Sequence, residues 1–293
     1  MTPEPDHAAA NTIDPRYVEA RGVLLDALTA LAPYKRAFIV AGAQAVHLRT
    51  GDADLAVAPY TTDGDLTLDP AFLGEDPLLE AAMMGAGFQL ALNQGRPEPG
   101  TWVRSVVING EPFAVPVDLI VPERASTGEG TRGARLGVHG KMAARRARGL
   151  EAALVDHAPM RVSSLDAGNS RSVEAEVAGA AALLVAKAHK LHERVAAGRA
   201  HRLDDKDALD VLRLMQTTAP RDVGETFRTL GDHPIAGRPS LDALDYLDAL
   251  FGRRGGLGVE MAARAVRVGL PPETVEAICT AYTARLLDTA RDG

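Results

Sequence analysis

Residues 101–121 read TWVRSVVINGEPFAVPVDLIV, two β-rich runs on either side of Asn109-Gly110. Both positions of that dipeptide tolerate the positive φ of a two-residue turn, so the segment predicts an antiparallel hairpin. Pro112 and Pro116 lack the N–H that a ladder uses, which predicts an edge position or irregular pairing for the second strand. Around this hairpin the first half of the chain alternates other short elements without regular βαβ crossovers. The sequence DPRYVEARGVLLDALTALAPY, from residue 14, offers an Asp cap, a Pro in the first helical turn and helical apolar spacing. RAFIVAG reads as a buried strand ending at Gly42, and AQAVHLRTG continues as a helix. TTDGDLTLD, residues 61–69, reads as a strand, DPLLEAAMMGAG as a helix closed by glycine, FQLAL as a strand and NQGRPEPG as a loop.

The character changes near residue 171. SVEAEVAGAAALLVAKAHKLHERVAAG, residues 172–198, reads as one long Ala/Leu-rich helix. LDDKDALDVLRLMQ follows, with Asp204 or Asp205 as its cap and an acidic first turn that suits the helix dipole. SLDALDYLDALFGRR and PETVEAICTAYTARLLDTA complete a helical second half. The expected organisation is a loose tail over residues 1–14, an α/β domain over 15–170 with a mixed sheet, and a mostly helical domain over 171–293.

With 46% apolar and 24% charged residues, the chain has an ordinary globular composition. Its net charge of -7 argues against a protein built mainly to coat nucleic acid, while leaving room for a local basic patch. The one cysteine, Cys279, allows no intrachain disulfide and reads as a core thiol. No apolar run is long enough to span a bilayer, and the N-terminus has neither the basic start nor the apolar core of a signal peptide. A cytoplasmic location without membrane attachment is expected.

Chemistry concentrates at three acids. Along a strand, residues i and i+2 share a face, so Asp63 and Asp65 present adjacent carboxylates. Hard oxygen ligands of this kind suit Mg²⁺, which takes one or two protein carboxylates and completes its shell with water and phosphate oxygens. Asp118 stands in VPVDLIV, where a charge needs a partner or a metal. If its strand lies beside the one that begins near Thr61, three carboxylates converge, a set able to hold metal for displacement at phosphorus. VAGAQAV runs from a strand through Gly42 into a helix start whose free N–H groups attract phosphate, with Gly42 and the small Ala43 allowing close approach.

The order strand, glycine, helix, T-x-D-x-D, then a third acid on a later strand resembles the nucleotidyltransferase superfamily of the DNA polymerase β type. Within it, the chain is most similar to the AbiEii/MenT-like toxins of type IV toxin–antitoxin systems. The second region carrying the likeness is RVSSLDAG … AALLVAKAHKLHERV … LDDKDALDVLRL, with a Lys-bearing helix and a KD-x-x-D segment. The resemblance implies an enzyme that moves a nucleoside monophosphate from an NTP to an acceptor hydroxyl, a tRNA 3′ end by family likeness. A cognate antitoxin protein is the implied partner. Asp63 and Asp65 would ligate Mg²⁺, and Asp118 would be the third carboxylate, assisting deprotonation of the acceptor. Gly42 and Ala43 would shape the phosphate turn, and Thr61 would support the acidic strand. Lys190, or Lys187 one turn earlier, would reach the triphosphate, and Asp207 would enter the site from the helical domain. The chain departs from the pattern at Ala41 and Pro59, where relatives often carry Lys and Arg, and Gly42-Ala43 replaces Gly-Gly or Gly-Ser. Arg49 could compensate from its helix. Two other readings stay open: a small-molecule transferase of the aminoglycoside type, and a catalytically inactive nucleotide- or partner-binding homologue.

Residues 123–149, ERASTGEGTRGARLGVHGKMAARRARG, hold seven Lys/Arg against two Glu. This is either a solvated loop and helix or an electrostatic footprint for RNA through residues such as Arg145 and Arg146. No aromatic residue interleaves the basic ones, so the segment itself offers no base-stacking platform. Lys187 and Lys190 share a helix face, as do His189 and His192, which read as packing or surface residues for want of a third metal ligand.

Overall fold

The computed structural model describes residues 13–51, 58, 60–126, 132–198 and 205–292. The expected tail over residues 1–14 lies almost wholly outside them, as do Pro59 and Asp204. Helix α1 (Pro15–Ala30) starts where the sequence placed it, with the Asp14 carboxylate accepting from the Arg16 N–H and Pro15 in the first turn. It leads to β1 (Phe38–Ala41), α2 (Gly42–Thr50), β2 (Gly64–Leu68), α3 (Leu79–Gly85), β3 (Gln89–Asn93), β4 (Arg96–Ile108) and β5 (Glu111–Pro122). Then come β6 (Arg145–Ala147), β7 (His157–Ser163), β8 (Ser172–Ala178) and α4 (Ala180–Ala196). Five helices follow: α5 (Asp205–Thr217), α6 (Pro220–Gly231), α7 (Gly237–Phe251), α8 (Leu257–Val266) and α9 (Pro272–Arg291). The fold is mixed α/β, one eight-stranded sheet followed by a helical C-terminal part.

The sheet runs β3-β4-β5-β2-β1-β8-β7, with β6 beside β5. Its hairpin is the one expected: Ile108 faces Glu111 across Asn109 (φ 54°) and Gly110 (φ 84°). The second strand is nevertheless central, not an edge, pairing with β4 on one side and with β2 on the other. Counting from the turn, Val107–Pro112 and Val103–Pro116 fall at the non-hydrogen-bonded positions of the antiparallel ladder. A residue there aims its N–H away from β4, and β2 pairs only from Val117 onward. Both prolines therefore remove a donor that no strand needs.

Three other expectations are corrected. Residues 96–100, read as loop, extend β4; Pro97 pairs with Leu92 of the outer strand β3, and Pro99 falls in the irregular stretch before pairing resumes at Trp102. Arg145–Ala147 are strand, not helix. Residues 172–198 are not one helix. Ser172–Ala178 form β8, and α4 begins after Gly179. The signal was a two-residue period, with Val173, Ala175 and Val177 facing inward and Ser172, Glu174 and Glu176 outward. β8 lies parallel to β1 and antiparallel to β7. The boundary expected at residues 170–171 thus falls inside the β7–β8 hairpin, and the sheet continues to Ala178.

α1 covers one face of the sheet. A Cβ on Gly64 would meet Leu24 of α1 and Val117 of β5. Strand alternation then turns Asp65 and Asp118 to the other face, toward α2 and α4. One continuous cluster of buried apolar side chains joins α1 and the strands to α4, α5 and the terminal helices. Cys279 is buried within it, and burial pushes its thiol up to about 12. No described helix is long and apolar enough to cross a membrane.

Candidate active site

β2 and β5 run parallel with Asp65 directly opposite Asp118, and Ala41 pairs with Asp65 from the other side. In-register neighbours of parallel strands project to the same face. Register alone therefore sets the two carboxylates side by side, from positions 53 residues apart. Gly42 follows at once (φ +62°), and a Cβ there would lie 1.9 Å from the Asp65 Oδ2. Only glycine lets the start of α2 close onto this carboxylate. No side chain caps α2 at Ala41.

Asp63 sits one residue before β2 and not on the strand as expected. Its Oδ1 accepts from the Thr61 hydroxyl, and Lys206 of α5 donates to Thr61 (3.0 Å). Gln44 of α2 donates to the Asp63 carbonyl (3.3 Å), and its own Oε1 accepts from Arg21 Nε (2.8 Å). Thr61 is buried and supports the acidic segment, the place expected for it.

Asp65 is half-buried. Shielding from water, with Asp63 and Asp118 close by, pushes its carboxyl up to about 6, against the pull of Lys190 and Arg145. Asp118 Oδ2 accepts twice from Arg145, at 2.7 and 3.1 Å, while Oδ1 is buried with no hydrogen-bond partner among the described residues. β4 makes this contact possible by ending its pairing with β5 at Thr101–Asp118, after which β6 takes over at Ile120–Arg145.

Among the described residues, no three His, Cys, Asp or Glu side chains form a group that could hold a metal ion. What is assembled is the pair Asp65 and Asp118, with one orphaned oxygen on Asp118. Two carboxylates of this kind fit Mg²⁺, whose remaining ligands come from water and phosphate.

The pair opens onto a cleft of about 1130 Å³, bordered by Gly42, Ile120, Arg145–Ala147, α4 and Tyr246 of α7. Lys190 lines it, with its side chain 48% exposed. Lys187 also borders it, but its ammonium is buried against Asp207 (2.8 Å) and Asp210 (2.6 Å). Burial works against that charge, yet Asp210 and Asp207 outweigh it and hold Lys187 above the usual lysine range. Asp207 also accepts from Lys190 (2.9 Å) and Arg194 (2.7 Å), and burial notwithstanding, Lys187 and Lys190 keep it well below the usual carboxylate range. Asp207 is therefore placed behind the cations that face the cleft. Ala43 is buried at the start of α2. Arg49 reaches the Ala178 carbonyl (2.9 Å) and does not border the cleft.

Comparison with known proteins places no name on this arrangement: no protein-family model, no curated protein and no solved structure matches the chain.

The basic segment is partly neutralised internally. Arg132 pairs with Glu98, Arg148 with Glu123, and Arg146 lies 3.8 Å from Glu123. Sequence reasoning missed Arg145 as the partner of Asp118, since nothing distinguishes it within a run of arginines. It also missed the network of Lys187, Lys190 and Arg194 with Asp207 and Asp210. There the signal existed, three cations at i, i+3, i+7 preceding two acids at i, i+3. His189 Nε2 donates to the Pro239 carbonyl (2.8 Å) and the ring meets Tyr246 edge-on, while His192 stacks on the same ring at 3.7 Å.

Proposed function

We propose that this protein is a Mg²⁺-dependent nucleotidyltransferase that moves a nucleoside monophosphate from an NTP to an acceptor hydroxyl. The observation that carries the reading is Asp65 in register with Asp118 on adjacent strands, beneath the glycine-led start of α2 and facing a cation-lined cleft. Asp65 and Asp118 are the residues that would hold Mg²⁺, with Asp63 adding negative charge nearby. Bound there, the ion would supply charge stabilisation at the reacting phosphate. The α2 N-terminus offers uncapped N–H groups to phosphate oxygens, and Gly42 permits their close approach. Lys190 and Arg145 bring positive charge to the same place, where negative charge develops as pyrophosphate leaves. Asp118 is the carboxylate we assign to assist deprotonation of the acceptor hydroxyl.

The acceptor is a nucleic-acid 3′ end, in keeping with the likeness to the AbiEii-like toxins, tRNA being the first candidate. Arg145, Arg146, Arg148 and the half-exposed Lys190 border the cleft, cations that suit a polyanion better than an aminoglycoside, which is itself cationic. In cells the reading implies a toxin restrained by an antitoxin protein. The test is incubation with total RNA, Mg²⁺ and each α-labelled NTP in turn. Label should enter RNA with the wild type and fall at least about 100-fold in Asp65→Asn and Asp118→Asn. Undiminished transfer by either variant contradicts the assignment.

A further inference from the structure

The basic segment 123–149 contains no aromatic residue, but the fold brings two rings to it from elsewhere. His192 of α4 and Tyr246 of α7 stack with centroids 3.7 Å apart and planes 8° from parallel. Both are half-buried and both border the cleft. His189, on the same helix, meets Tyr246 edge-on and is anchored at the Pro239 carbonyl, so the Tyr246 ring is held from two sides. Tyr246 borders the cleft together with Arg146 and Arg148. Tyr246 is the one Phe, Tyr or Trp among the described residues that border this cleft.

Resting on the transferase reading, we propose that the His192–Tyr246 pair is the platform on which the terminal base of a single-stranded acceptor stacks, with Arg146 and Arg148 taking its phosphates. Rings already fixed in one orientation lose little freedom when a base joins the stack, and stacking accepts every base because each has a π-face. Cations beside a stacking ring are the usual footing for single-stranded nucleic acid.

The test is fluorescence anisotropy with the full-length protein, in EDTA and without NTP. A 5′-labelled single-stranded oligoribonucleotide is compared with the same strand lacking its 3′-terminal base. Wild type should bind the intact strand about tenfold more tightly, the effect of one stacking contact. Tyr246→Ala and His192→Ala should bind both strands alike, and Tyr246→Phe should keep the preference. Asp65→Asn should keep it too, although it cannot transfer nucleotide. Equal wild-type affinity for the two strands overturns the proposal, and so does a preference that survives in both alanine variants. The wild-type comparison needs no variant to fold. If Asp65→Asn still transfers label, the transferase reading fails while the stacking preference can stand; if transfer is intact and the preference absent, only the platform fails.

Discussion

Asp65 carries the clearest residue-scale consequence. Its folded carboxyl is raised to about 6 by shielding from water and by Asp63 and Asp118. An unfolded aspartate titrates near 4. Above pH 6 the folded protein therefore carries a strained charge that the unfolded chain does not feel. That burden is relieved as pH falls from about 6 to about 4. Asp65→Asn should accordingly stabilise the protein at pH 8 by about 1–2 kcal/mol, below the ~3 of the full shift because the cleft admits water. The gain should vanish near pH 4, and urea denaturation at the two pH values reads it. A gain independent of pH would remove the charge from the explanation. Gly42→Ala acts at the same spot. A Cβ 1.9 Å from the Asp65 Oδ2, at φ +62°, forces the carboxylate or α2 to move. We expect NTP affinity to fall at least about tenfold and stability by about 1–3 kcal/mol, seen by titration calorimetry and thermal unfolding. Unchanged NTP affinity would separate α2 from the phosphates. The acids and Gly42 were legible in the sequence because T-x-D-x-D and a strand–glycine–helix junction are local patterns. The Arg145–Asp118 contact was not, because it depends on β4 leaving β5 and β6 replacing it.

At the scale of elements, α4 and α5 divide the lysines into two kinds. Lys187 is buried between Asp207 and Asp210, and its loss takes the ammonium from Asp210 and one of three cations from Asp207. Lys187→Met should destabilise by about 3–5 kcal/mol. Lys190 is half-exposed, and Lys190→Met should change stability by less than about 1 kcal/mol while weakening NTP binding. Thermal unfolding and titration calorimetry of the two variants give opposite orders under this account. A Lys190 variant that unfolds early yet binds NTP normally would reverse the assignment. Helical periodicity made α4 and α5 visible, but not which lysine is inside, since both face the acids of α5. The start of α4 was misplaced because alanine-rich composition concealed the two-residue alternation of β8. Only pairing with β1 and β7 decides between those periods.

For the whole molecule, the order of sheet and helical part was legible from composition and turn chemistry, but a boundary between them was not. β8 and α4 are adjacent in sequence and belong to both parts, and α5 reaches back through Lys206 to Thr61 and through Arg213 to the Ala58 carbonyl. With one continuous core, thermal unfolding should proceed as a single transition when followed by calorimetry and by far-ultraviolet dichroism together. Two separated transitions would divide the molecule where we find no seam. Mn²⁺ binding followed by electron paramagnetic resonance, with a non-hydrolysable NTP analogue present, decides whether Asp65 and Asp118 form a divalent-cation site under the α2 N-terminus. Bound Mn²⁺ is expected in the wild type and lost in Asp65→Asn and in Asp118→Asn; equal binding by all three proteins would remove the metal site from the proposal.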